Sequence, residues 1–351
     1  MKEAMFYERL EGGKVKCYLC HQHCTIREGS RGFCGVRENR DGTLYTLVWE
    51  RVVSRNADPI EKKPLFHFLP GSRSYSIATV GCNFRCTHCQ NYDISQYPRE
   101  HPERQELPGE RISASAVVED AVATGCGSIS YTYVEPTIFF EYALECSRLA
   151  KERGLANVFV SNGYTTPEAT RAIAPVLDAN NIDLKSFSDA HYRRICGARL
   201  SPVLDTIRLM KELGVWVEVT TLVIPGLNDS EAELRDIAGF IRSVGVEVPW
   251  HVTQFFPTYR LTDRGRTPVA TLARAREIGL EEGLRYVYTG NVPGETGENT
   301  FCYSCGGLLI RRVGYHISQL GIVNGRCPTC GAAIDGVFFR PEGTGHGQEG
   351  F

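Results

Sequence analysis

Residues 74–91 read SYSIATVGCNFRCTHCQN. The first seven, SYSIATV, predict a strand, and directly behind it Cys82, Cys86 and Cys89 fall at the spacing C-x3-C-x2-C. Three thiolates this close suit a soft metal centre, because calcium and magnesium take oxygen ligands. A structural zinc needs four ligands, which His88 inside the motif would complete. An iron–sulfur cube held by three cysteines instead keeps one iron open to a substrate or cofactor.

Beyond this stretch the pattern repeats. Strand candidates follow at 128–134, 157–162, 181–184, 215–224, 250–256 and 285–290, with helix patterns between them at 113–125, 136–154 and 230–245. The last helix has Asp229 or Ser230 as its N-cap and stops at Gly245. Alternating strands and helices predict parallel β/α units in a barrel or an open doubly wound sheet. In a β/α barrel the functional side chains come from the C-terminal ends of strands, and the triple-cysteine stretch follows the first of these strands.

The chain has 351 residues, long enough for about two domains or one barrel with appendages, since roughly 150 residues per domain is a soft prior. It is 42% hydrophobic and 23% charged, with 39 basic and 41 acidic residues. A net charge of −2 gives no broad field for nucleic acid or a membrane surface. Apolar runs such as 217–226 fall far short of the ~20 residues that span a bilayer, and the opening residues lack the apolar core of a secretion signal. The reading is a cytoplasmic protein. Three regions emerge: a cysteine-rich head over 1–70, a core over 71–295 and a paired-cysteine tail over 296–351, whose last residues, RPEGTGHGQEGF, read as a frayed end.

In a reducing compartment, close cysteines hold metal or do chemistry more often than they form disulfides. Eleven of the 14 cysteines fall in three clusters, while Cys126, Cys146 and Cys196 stand alone and read as small buried side chains. In the tail, Cys302-x2-Cys305 and Cys327-x2-Cys330 are each followed by glycine, the pattern of zinc-ribbon knuckles, and the expectation is a structural zinc. The head set, Cys17, Cys20, Cys24 and Cys34, fits zinc or an auxiliary iron–sulfur cluster, with His21 and His23 as spare donors. The segment EKKPLFHFLPG at 61–71 reads either as a cover over the barrel mouth or as a linker burying Leu65, Phe66 and Phe68. Its Lys62 and Lys63 are available to an acidic partner.

The motif CNFRCTHCQN at 82–91 resembles that of the radical S-adenosylmethionine (SAM) enzymes. The resemblance implies a partial (β/α)6 TIM-like barrel carrying a [4Fe-4S] cluster on Cys82, Cys86 and Cys89, with SAM on the fourth iron. It further implies SAM contacts from Glu135 in YTYVEPT, Asn162 in SNGY, and Asp183 and Lys185 in DLK, with the adenine near VIPGLND at 223–229. A reducing electron donor such as flavodoxin or ferredoxin, and oxygen sensitivity, follow from that chemistry. Over nearly its whole length the chain is similar to the radical SAM component of the AmmeMemoRadiSam system. This kinship adds AMMECR1-like and Memo-like proteins as partners and relates the chain to pyruvate formate-lyase activating enzymes. One departure is Phe256, where the family pattern leads us to expect histidine.

The leading expectation is a radical SAM enzyme that abstracts hydrogen from a macromolecular substrate. Its alternatives are an activase that acts on a backbone glycine, and a scaffold in which all three clusters hold zinc.

Overall fold

The computed structural model describes residues 1–292 and 296–338. The terminal stretch read as frayed lies outside the described residues.

Eight strands form one sheet in chain order: β1 (Ser54–Pro59), β2 (Arg73–Ala78), β3 (Ser128–Tyr131), β4 (Ala156–Ser161), β5 (Ala179–Asp183), β6 (Trp216–Val223), β7 (Trp250–Gln254) and β8 (Val287–Gly290). From β2 to β8 every neighbouring pair is parallel, and β1 pairs antiparallel with β2. The crossovers carry α1 (Ala114–Ala123), α2 (Phe140–Glu152), α3 (Pro167–Ile173), α4 (Leu200–Glu212), α5 (Glu231–Val244) and α6 (Val269–Glu281). This is the six-unit partial barrel expected from the sequence. Among the described residues β1 and β8 do not pair, so the sheet is open at its edges.

The strands are nearly continuous apolar or small runs, as expected where a parallel sheet is covered on both faces. Ile77, Ile129, Val158, Ile182, Val219 and Val252 are almost fully buried. The helices start where the sequence provides caps. Ser113 Oγ accepts the Ala116 amide at 3.2 Å, and Ser230 Oγ accepts that of Glu233 at 3.3 Å. Asp229, the other cap candidate, instead accepts the Gly226 amide at 2.8 Å.

Two features depart from the sequence reading. The strand expected over 128–134 ends at Tyr131, because Tyr133 has φ +62°, a left-handed turn that swings the chain into Glu135. The strand β1 comes from the segment read as head, so the barrel sheet begins before residue 70.

Residues 60–71 do not cover the mouth. They close the opposite end, packing Ile60, Leu65, Phe68 and Leu69 against Val158 and Ala179 near the starts of β4 and β5. The Glu218 carboxylate fixes them there, accepting the amides of Phe66 and His67 at 3.0 and 2.8 Å, together with Trp216 Nε1 and His251 Nε2. Lys62 and Lys63 meet Asp58 of β1 at 3.0 and 2.6 Å.

The tail packs on this same floor. Its three-stranded sheet, Thr300–Phe301, Leu308–Val313 and His316–Leu320, shares a core with Phe66, Tyr286 and Tyr288. The buried His67 ring links the two, contacting the Asp335 carbonyl at 2.6 Å and the Tyr288 hydroxyl at 2.5 Å. The head lies at the other end of the barrel. No described helix is long and apolar enough to cross a membrane.

Candidate functional site

The loop after β2 carries Cys82, Cys86 and Cys89 at the C-terminal mouth of the sheet. Three backbone hydrogen bonds hold it. The Arg85 amide donates to the Cys196 carbonyl at 2.8 Å, the Thr87 amide to the Ile195 carbonyl at 3.1 Å, and the Arg260 amide to the Thr87 carbonyl at 2.9 Å. Cys196 ends a π-helical turn over Tyr192–Cys196, a local distortion frequent at functional sites. Its thiol also donates to Cys86 and holds that group below its ordinary value, with Lys185 nearby acting the same way. The sequence offered no sign of this role. Burial pushes the Cys82 and Cys89 thiols up.

The strand-end residues converge on this loop. Asn162 Nδ2 reaches Asn83 Oδ1 at 2.8 Å and Cys82 Sγ at 3.8 Å. Both oxygens of Glu135 are engaged, by Thr137 N and Oγ1 at 3.1 and 2.6 Å, Ser161 Oγ at 2.9 Å and the Asn162 amide at 2.7 Å. Glu135 thus ties the end of β3 to that of β4, and burial raises its pKa. At the end of β5, Lys185 pairs with Asp183 at 2.7 Å. Burial opposes the Lys185 charge, but Asp183, Cys86 and Cys196 hold the ammonium well above its ordinary range. Asn228, within the VIPGLND loop, donates to the Lys185 carbonyl at 2.8 Å. Cys82, Cys86, Cys89, Glu135, Asn162, Asp183 and Lys185 therefore gather at one mouth.

This chemistry fits the iron–sulfur and SAM pair that the sequence motif implies. The donors are soft thiols. Around them Asn83 Nδ2, Thr87 Oγ1 and His88 Nδ1 are buried with no protein partner, polar groups that a bound group or water would satisfy. His88 is kept neutral by burial and by nearby Lys185 and His191. Phe256 stands exposed beyond the end of β7, presenting a ring where imidazole was expected.

The tail cysteines form a separate site at the floor. Cys302 and Cys330 sulfurs lie 3.7 Å apart, as do those of Cys305 and Cys327, and all four fall within 4.8 Å of one another. The two knuckles match: the Cys302 amide donates to Gly307 and the Gly306 amide back to Cys302, while Cys327 and Gly331 make the same pair with Ala332 and Cys327. The Cys330 and Thr329 amides bring the Cys327 thiol down to about 6, favouring the thiolate that a metal needs.

The head cysteines line a small cavity at the mouth end with Leu19, Phe33, Arg37 and Ile138, and neither His21 nor His23 lines it. Arg37 is buried and paired with Glu141 of α2, clamping the head to the barrel. Gly81, with φ +96°, makes the fit possible: a Cβ there would stand 2.9 Å from the Cys34 carbonyl oxygen and 2.6 Å from Val36 Cγ1.

Residues 76–238 match the family model of the radical SAM superfamily. An uncharacterized protein of Methanocaldococcus jannaschii is 48% identical over 338 residues, covering 95% of this chain and 99% of that one. The pyruvate formate-lyase-activating enzyme of Clostridium pasteurianum is 23% identical over 50% of this chain and 71% of its own length. Among solved structures, a radical SAM methyltransferase from Sphaerobacter thermophilus aligns at 16% identity with a TM-score of 0.48, over 67% of this chain and 70% of that one.

Proposed function

The chain belongs to the radical SAM superfamily, and on that premise we propose that it is an enzyme that initiates radical chemistry on a macromolecular substrate at the mouth formed by β2 to β5. When bound, a [4Fe-4S] cluster and SAM supply one-electron cleavage of SAM to methionine and a 5'-deoxyadenosyl radical that abstracts hydrogen from the substrate. The observation that carries this reading is the convergence of the three-cysteine loop with the strand-end residues.

Each residue has a distinct task. Cys82, Cys86 and Cys89 hold the cluster. Asn162, through Asn83, fixes the Cys82 turn. Glu135 ties β3 to β4 through three donors on Oε1 and the Asn162 amide on Oε2, and Oε2, with that single donor, keeps an acceptor site for SAM. Lys185 is the cation at the mouth, oriented by Asp183 and suited to a SAM carboxylate. The packed floor leaves the mouth as the route of access, and the unpaired sheet edges favour an extended substrate over a small enclosed one.

The named activating enzymes among the relatives favour a second reading, hydrogen abstraction from a partner's backbone glycine. Those matches cover from 39% to 66% of this chain, at 23–29% identity. A low-potential donor such as flavodoxin or ferredoxin would supply the electron, and the AmmeMemoRadiSam resemblance nominates AMMECR1-like and Memo-like proteins as partners.

The test is anaerobic reconstitution with ferrous iron and sulfide, reduction by dithionite and addition of SAM, beside a Cys82→Ala, Cys86→Ala, Cys89→Ala variant. 5'-Deoxyadenosine from the wild type alone is expected; equal yields from both would refute the assignment.

A further inference from the structure

We propose that Cys17, Cys20, Cys24 and Cys34 hold a second iron–sulfur cluster of the four-iron kind, docked against the loop of the first. In a tetrahedral zinc site each sulfur stands ~2.3 Å from the centre. The four head cysteines share the walls of one small cavity with Leu19, Phe33, Arg37 and Ile138. Their sulfurs are spread too widely for one ion. Among the described residues all four tail sulfurs lie within 4.8 Å of one another, whereas no three of the head sulfurs do. A cube accounts for that spread, since it places one thiolate on each of four irons around a core larger than an ion.

Backbone amides and one cation face the head sulfurs, against a burial that pushes the Cys20, Cys24 and Cys34 thiols up. The Phe33 amide donates to Cys24 Sγ at 3.4 Å, and the Gln22 and Val36 amides point at the sulfurs of Cys20 and Cys34. Arg37 brings a buried cation to 4.0 Å from Cys17 Sγ. Such N–H groups and charge stabilise cluster sulfurs and set their potential.

This site adjoins the three-cysteine loop. Gln22 Nε2 donates to the Asn83 carbonyl at 2.9 Å and to the Gly197 carbonyl at 3.0 Å, and the Arg85 guanidinium lies 3.7 Å over the Phe33 ring. Cys20 bridges to Thr165, just past the end of β4.

The test uses the full chain with Cys82, Cys86 and Cys89 all changed to alanine, so it does not depend on SAM cleavage. The variant is reconstituted anaerobically with ferrous iron and sulfide in the presence of equimolar zinc, then desalted. Retention of about four iron and four sulfide per chain, with the Mössbauer signature of a four-iron cluster, is expected. Sulfide is the deciding count, because the tail quartet can take iron without it. Adding Cys24→Ala, with folding checked by circular dichroism, should at least halve the sulfide. If that variant fails to fold, the wild type provides the check, at about eight sulfides per chain against about four for one cluster. Zinc without sulfide in the triple variant would overturn the proposal, and two irons with two sulfides would overturn the four-iron assignment.

Discussion

The two four-cysteine sets sit at opposite ends of one barrel and are built on different plans. At the floor, four sulfurs converge within 4.8 Å on two matching knuckles of a small antiparallel sheet. At the mouth, four sulfurs stand apart around a cavity, supported by backbone amides and a buried arginine. The floor site has two exposed cysteines, whereas none in the head set is fully exposed. A compact, partly exposed quartet suits a metal that holds shape. A spread, sheltered quartet against the three-cysteine loop suits a centre that carries charge.

Removing a tail ligand should have the largest effect. Structural zinc in small modules contributes ~10–16 kcal/mol of binding free energy. Cys327→Ala should therefore eliminate about one zinc per chain and the amide-exchange protection of 300–320, while the iron content stays unchanged. Loss of iron as well would mean that the two ends are not independent.

Cutting the head's clamp comes next. Arg37→Met leaves the buried Glu141 carboxylate without its cation, which should cost about 3–5 kcal/mol in urea unfolding. The metal content of the tail should be unchanged. A loss below about 1 kcal/mol would show that the head is not anchored through this pair.

The floor also has an acid-sensitive joint. Burial brings His67 down to about 4 from its ordinary 6.5. Between those values the unfolded chain binds a proton that the folded chain refuses, so stability is present above pH 6.5 and is lost as pH falls through about 4. From pH 7 to 5 the loss should be on the order of 2 kcal/mol. It should be reduced in His67→Gln, measured as unfolding midpoints against pH.

The smallest effect should come from the tail's outer ion pair. Arg285 and Asp335 meet at 2.8 Å but are 33% and 24% exposed. Asp335→Asn should change stability by under about 1 kcal/mol, because solvent screens such pairs. A larger loss in thermal melts would mean that the dock rests on this contact more than on the core around Phe66.

Much of this was legible in the chain. The three-cysteine spacing and the order of Glu135, Asn162, Asp183 and Lys185 behind it gave the mouth, because parallel units put strand ends on one side. The tail knuckles were legible because their geometry is local. The strand β1 was not: SRNADP has no apolar alternation, and its pairing with β2 is a tertiary choice. Nor was the part played by residues 60–71. Their apolar content signalled burial, but the barrel end they close depends on Glu218, far along the chain. Cys196 was hidden for the same reason, since a lone cysteine shows its neighbour only after folding.

That distance to Glu218 also bears on synthesis. The Phe66 amide and the carboxylate that receives it are 152 residues apart in sequence. At ~5–20 residues per second, the ribosome delivers the second partner roughly 8–30 s after the first. Throughout that interval the carboxylate that fixes the apolar plug is not yet made, so the nascent chain exposes apolar residues beside the head cysteines until Glu218 emerges.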